Sequence, residues 1–246
     1  PTPRHNRYFV MKWNFSVVDP QGDAQAIRDA LHQHINVQIQ GFVRKYHAYL
    51  ADHPVINEQN ALSSFQALLA LISQTPYKLY LLIDEYDNFA NEVLVSRQRG
   101  ELRYQELVGG EGSIKTLFKV VKDGAEGRGL DRVFITGVSP VVLADITSGY
   151  NVVENISLHR DYADLCGFHE AEIRAVLTQL QTPAKQEETL ALMRTFYNGY
   201  HFGGDEGGGL IYNPTLALYF FKHLAQTGGY PQKMLDNNLA MDRNRI

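Results

Sequence analysis

The run Leu79-Tyr80-Leu81-Leu82-Ile83 ends in two adjacent carboxylates, Asp84 and Glu85. An acid pair at the tip of an apolar strand suits metal-assisted hydrolysis of a phosphate bond. Asp84 can hold a hydrated Mg²⁺ there, and Glu85 can orient or activate a water. The same pair also fits the start of a helix, where acids cap free N–H groups and meet the positive end of the dipole. The usual companion of such a site is the phosphate loop G-x-x-x-x-G-K-[ST], and this sequence contains none.

Other residues could join that chemistry. Thr136 closes the run Arg132-Val133-Phe134-Ile135, so its hydroxyl sits at a second strand end. It can hydrogen-bond a reacting water or phosphate, or satisfy local backbone groups. Ser139 precedes Pro140 and fits a helix start. Arg97, Arg128, Arg132 and Arg160 could balance phosphate charge, while solvated surface is the ordinary fate of arginine. Lys115 and Lys119 lie one helical turn apart and form either a small basic face or a solvated one. In Tyr197-Asn198-Gly199-Tyr200-His201-Phe202 the Asn-Gly pair signals a turn and the aromatics suit packing, with base stacking by Tyr200 or Phe202 as the alternative. Asn213-Pro214 reads as a helix cap followed by a first-turn proline. The nine histidines show no metal-binding spacing with Cys166 or nearby acids. No Gly-x-Ser-x-Gly elbow suggests a serine hydrolase.

The elements that must position these residues follow from periodicity. Residues 8–15 alternate large apolar and polar side chains and predict a strand, with Tyr8, Val10, Trp13 and Phe15 as its bulky members. Asp23 caps a helix predicted to run to about residue 50, with Ile27, Leu31, Ile35, Ile39 and Phe42 on its inner face. A connector at 51–57 leads to a helix over 60–73, which Pro76 ends. Residues 77–83 are so uniformly apolar that a central parallel strand covered on both faces is expected. Helices are predicted over 87–106 and 113–122, a strand over 132–136, a further helix after Pro140, and a last strand over 155–158. From Gly167 the pattern turns helical, over 170–180, 185–197 and 215–226, with a glycine-rich loop at 203–209. Alternation of strands and helices followed by helices alone predicts an α/β parallel sheet flanked by helices, then a C-terminal helical subdomain. The division is expected as a core over 1–164 and a helical subdomain over 165–246.

Composition narrows the classes. With 246 residues, 44% hydrophobic and 20% charged, the chain can bury a sizeable core. No apolar run approaches the roughly 18–20 residues of a membrane span. Net charge of −4 and the lack of a dense Lys/Arg block argue against broad electrostatic attachment to nucleic acid or an anionic membrane. Cys166 is the single cysteine, which excludes an internal disulfide. Cytoplasm is the expected compartment.

Six segments in order carry a family resemblance: LLIDEYDNF (81–89), GEGSIKTLFKVVKDG (110–124), RVFITGVSPVVLADITSGYN (132–151), LCGFHEAEI (165–173), YNGYHF (197–202) and IYNPTLALYF (211–220). Together they closely resemble the bacterial AAA-ATPase-like family, whose members often carry a C-terminal PD-(D/E)XK nuclease-like domain. The resemblance implies a P-loop-type core with a helical lid. It implies that Asp84 is the Walker B acid holding Mg²⁺ through water, Glu85 the base that polarises the hydrolytic water, and Thr136 the polar sensor at a strand end. ATP and Mg²⁺ are the cofactors it implies for a full-length member.

Two departures qualify it. The family's phosphate-loop strand and helix precede the segment resembling residues 8–15, and neither they nor a nuclease-like domain has a counterpart here. The expectation is the middle of a longer protein, an incomplete P-loop-type sheet whose missing strand would lie between the sensor strand and the last strand. Unpaired strand edges make such a chain marginal unless a phosphate-loop segment or another chain fills the slot. The expected function is nucleotide-dependent regulation of an attached effector such as a nuclease-like domain, with little or no ATP hydrolysis by this chain alone. The alternatives are a non-enzymatic scaffold of degenerate ATPase fold and a nucleic-acid-processing subunit.

Overall fold

The computed structural model describes residues 3–19, 21–87, 113–137, 154–202 and 209–235. The chain divides into two compact units, Pro1–Val153 and Glu154–Ile246, each described by itself. The first is built on a three-stranded parallel sheet of β1 (Tyr8–Asn14), β2 (Lys78–Asp84) and β3 (Leu130–Ile135), in that order across the sheet. Helices α1 (Ala24–Tyr46), α2 (Ala61–Ser73) and α3 (Ser113–Ala125) pack on β1, β2 and β3 respectively.

Strand alternation decides which residues enter the core. Phe9, Met11 and Trp13 of β1 and Leu79, Leu81 and Ile83 of β2 are buried beneath the helices. Ile27, Leu31, Ile35, Ile39 and Phe42 meet them from α1, with Phe65, Leu68, Leu69 and Ile72 from α2 and Leu117, Phe118 and Val121 from α3. The opposite face is more open, and Val10 and Phe134 there are exposed at 38% and 36%. β2 is the central parallel strand expected, while the expectation that it is covered on both faces is corrected. The apolar run of β2 hides an alternation in which Leu79, Leu81 and Ile83 are buried while Tyr80 and Leu82 are half-buried. On β1, Trp13 faces the core while Tyr8 and Val10 face the other way, and Phe15 begins the short helical turn Phe15–Val17.

Local capping fixes where the helices begin. The Asp23 carboxylate accepts the Ala26 N–H at 2.9 Å and starts α1. Asn60 Oδ1 accepts from the N–H groups of Leu62 and Ser63, while His32 Nδ1 of α1 accepts the Ala61 N–H at 3.1 Å. Helix α1 thus supplies part of the cap of α2. Buried Asn36 donates to the Asn57 carbonyl at 2.8 Å, and the Asn57 N–H donates to buried Ser64 at 2.9 Å, so the connector is pinned to both helices. Helix α1 ends at Tyr46, where the chain tightens into the short turn His47–Tyr49.

The second unit packs α4 (Glu170–Leu180), α5 (Pro183–Tyr197) and α6 (Pro214–Thr227) around Ile173, Leu177, Leu190, Met193, Tyr197, Tyr212 and Phe220. A small antiparallel pair, β4 (Asn198–Tyr200) and β5 (Ile211–Tyr212), closes it. Glu170 receives Arg194 and Arg174, which ties α4 to α5. Asn213 caps α6 by accepting the Leu216 N–H at 3.0 Å, with Pro214 in the first turn as expected.

Two further expectations are corrected. Residues 155–158 form no strand: the Asn155 side chain accepts the Ser157 N–H at 3.0 Å and the chain turns. Asn198-Gly199 is not a free turn but lies in β4, where Gly199 at φ +126° absorbs a register shift against β5. The expected helices over 87–106 and after Pro140, and most of the glycine-rich loop, lie outside the described residues. Among the described residues no helix is long and apolar enough to cross a membrane.

The histidines of α1 give the first unit a pH dependence. Burial lowers the pKa of His32 and of His34 from the usual 6.5. The unfolded chain therefore takes up protons near pH 6.5 that the folded chain refuses, so this contribution is complete above that pH and is lost on acidification. Protonation also removes the Nδ1 acceptor that caps α2. Thermal unfolding followed between pH 8 and pH 5 is expected to show a falling Tm below about pH 6.5, and a H32N/H34Q double variant is expected to flatten that fall.

Candidate functional site

Parallel pairing brings the ends of the strands to one edge of the sheet. Asn14 of β1 stands opposite Asp84 of β2, and Ile83 stands opposite Ile135 of β3. The ladder continues past the strand ends: the Thr136 N–H donates to the Ile83 carbonyl at 2.8 Å, and the Tyr86 N–H to the Thr136 carbonyl at 3.2 Å. This sets Thr136 beside Asp84. Its hydroxyl donates to Asp84 Oδ1 at 2.5 Å. The other carboxylate oxygen, Oδ2, lies 2.7 Å from the Nζ of Lys12 on β1. Lys12 and then Thr136 hold the Asp84 carboxyl below the usual carboxylate range, with the Glu85 backbone N–H acting in the same direction.

The turn after β2 is tightly built. Glu85 has φ +55°, a left-handed conformation that is strained for a residue with a side chain. Tyr86 and Asp87 then turn into the protein and are buried at 5% and 0% exposure. They lie against the Cα of Gly137, where an added Cβ would collide with the Tyr86 ring and with Asp87 Oδ1. Gly137 is thus the residue that lets the post-β2 turn close over the end of β3.

Asp84, Glu85 and Thr136 therefore share one edge, with Asp84 and Thr136 in direct contact. Within the first unit, neither Arg128 nor Arg132 joins them. Arg128 precedes β3, away from Thr136, and pairs with Asp123 at 2.9 Å. Arg132 stands opposite Tyr80, about 13 Å along the strand from Asp84 at ~3.3 Å per residue. It lies near Asp131, whose carboxylate accepts the Tyr8 hydroxyl. Arg160 belongs to the second unit, in the short turn Arg160–Tyr162. Arg97 and Ser139 lie outside the described residues. Tyr197 is buried in the second unit, while Tyr200 is 40% exposed and stacks on Phe202 at 6.3 Å.

Sequence reasoning missed Lys12, Asp87 and Gly137. Lys12 left a signal, a cation between the core residues Met11 and Trp13 of an alternating strand, which forces it to the face that Asp84 also occupies.

Carboxylate and hydroxyl oxygens at a strand tip suit a hard cation such as Mg²⁺. Among the described residues no group of three His, Cys, Asp or Glu side chains forms a cage. One protein carboxylate, with water and phosphate oxygens completing the shell, is the usual arrangement for Mg²⁺. Asp84 fits the role of metal-holding acid on those grounds.

The geometry of the turn has two opposite consequences for stability. Gly137→Ala is expected to destabilise the chain by about 1–3 kcal/mol through overpacking against Tyr86 and Asp87. Glu85→Gly is expected to stabilise it by about 1 kcal/mol relative to Glu85→Ala, because glycine accepts the left-handed backbone. Urea unfolding midpoints of the three variants check both.

Comparison with known proteins gives the site a family context. The chain is 28% identical over 145 residues to a protein of Azotobacter chroococcum mcd 1 described as an uncharacterized protein in the vnfD 5′ region. That match covers 59% of this chain and 25% of the relative, so the chain spans about a quarter of the relative's length. No solved structure matches. A family model described as predicted AAA-ATPase matches residues 1–147, more than half of the chain and the whole of the described β1–β3 sheet, and the chain therefore belongs to the AAA-ATPase-like family.

Proposed function

We propose that the chain is the core of a nucleotide-responsive ATPase-like protein, with Asp84, Glu85 and Thr136 at its nucleotide edge. The observation that carries this reading is the hydrogen bond from Thr136 to Asp84, which joins the acid of β2 to the polar residue after β3. Mg²⁺ bound there would neutralise phosphate charge and hold ATP oxygens. Asp84 serves as the acid of the metal's water shell, and Thr136 fixes which way its carboxylate faces. Glu85 follows Asp84 in a strained turn and serves to orient the hydrolytic water. The second unit serves as the lid, and nucleotide-dependent motion of that lid regulates an attached effector, for which a nuclease-like domain is the family precedent.

Positioning and charge stabilisation dominate phosphoryl transfer. A phosphate cradle from a preceding segment or another chain is therefore part of this reading, and turnover by the present chain is expected to be negligible. A second reading, a non-enzymatic scaffold, draws on one specific observation: Lys12 and Thr136 already engage both oxygens of Asp84. Steady-state ATP hydrolysis distinguishes the possibilities. The 246-residue chain is expected to stay at background. Supplying a phosphate-loop segment is expected to raise turnover, and Glu85→Gln to abolish it. Turnover by the chain alone that Glu85→Gln abolishes contradicts the need for a supplied cradle, and background rates in every combination favour the scaffold.

A further inference from the structure

Lys12 lies beyond the Walker-type acids and the strand-end hydroxyl. It projects from the middle of β1, where its neighbours Met11 and Trp13 are buried at 3% and 0% exposure. Alternation therefore fixes Lys12 on the more open face of the sheet. Its backbone stands opposite Leu82, and its side chain reaches two residues along β2 to Asp84. The pair is close, with Nζ 2.7 Å from Oδ2, yet it is not sealed: the Lys12 and Asp84 side chains are 54% and 34% exposed.

Those numbers define a contact that is formed but easily exchanged. An ammonium on a flexible stem is a compact point charge without the fixed fork of arginine, so it can leave a carboxylate without disturbing the backbone. A half-exposed pair of this kind contributes little net stability. Thr136 occupies Oδ1, so Oδ2 is the oxygen whose charge partner can change.

We propose that Lys12 is the resident counter-cation of Asp84, occupying the carboxylate edge that a divalent cation would use, so that a cation is held at Asp84 only when Lys12 is displaced. This rests on the reading of Asp84 as the metal-holding acid. It adds a gate to that site: binding the cation frees the Lys12 ammonium at the same sheet edge, where a phosphate oxygen can take it up.

Two measurements on the full chain test the exchange. In reductive methylation read by mass spectrometry, Lys12 is expected to react faster in Asp84→Asn than in the unaltered chain. It is also expected to react faster in the unaltered chain when Mg²⁺ is added. In Mn²⁺ titrations followed by electron paramagnetic resonance, Lys12→Met is expected to lower the Mn²⁺ Kd by about threefold to fivefold, as loss of a half-exposed competing ion pair allows. Asp84→Asn is expected to abolish that binding. Equal Mn²⁺ affinity in the unaltered chain and Lys12→Met, with loss in Asp84→Asn, overturns the exchange and leaves the metal role of Asp84 standing. Mn²⁺ binding by none of these proteins overturns both.

Discussion

The parallel register of β2 and β3 is the constraint on which the site depends. Because backbone hydrogen bonding continues past both strand ends, the Thr136 backbone is held by Ile83 and the Tyr86 backbone by Thr136. That double tether leaves the Thr136 hydroxyl against Asp84 with little freedom. A slip of one residue would turn every side chain of a strand to the other face. It would remove Leu79, Leu81 and Ile83 from the core and send Asp84 away from Thr136 together. Burial and chemistry are thus specified by the same register.

The helices enforce that register from one side. Helix α1 covers β1 and also caps α2 through His32, so the first two layers of the core are linked by a hydrogen bond as well as by apolar contact. Aromatic packing of Trp13 against Phe65, with ring centres 4.9 Å apart, joins β1 to α2 directly beneath the acidic edge. The strain at Glu85 and the close fit of Tyr86 and Asp87 over Gly137 lie at the end of this supported strand. Strained backbone persists where its surroundings over-determine it, and such places are often functional.

Much of this was legible in the sequence. The apolar run ending in Asp84-Glu85 marked the strand tip, Asp23 and Asn60 marked helix starts, and Asn213-Pro214 marked α6, because each depends on local chemistry. What depended on pairing was not legible. Alternation could place Lys12 on the face away from the core, but Asp84 becomes its partner only when β1 is set beside β2. The open face of the sheet was concealed because Tyr80 and Leu82 are as apolar as the residues buried between them. Residues 155–158 looked strand-like, and the Ser157 backbone N–H donates to the Asn155 side chain where the chain turns instead. Asn198-Gly199 signalled a turn, while pairing with β5 placed both residues in a strand with a register shift.

If the edge formed by Asp84 and Thr136 is where the chain meets a nucleotide-bound metal, a paramagnetic cation must report it by position. Backbone amide spectra of the full chain recorded with substoichiometric Mn²⁺ test this most directly. The account predicts selective broadening of Asp84, Glu85, Tyr86, Thr136 and Gly137, the residues that register brings together. Broadening centred elsewhere, such as on Asp29 and Glu58 beside α1 and α2, would contradict it.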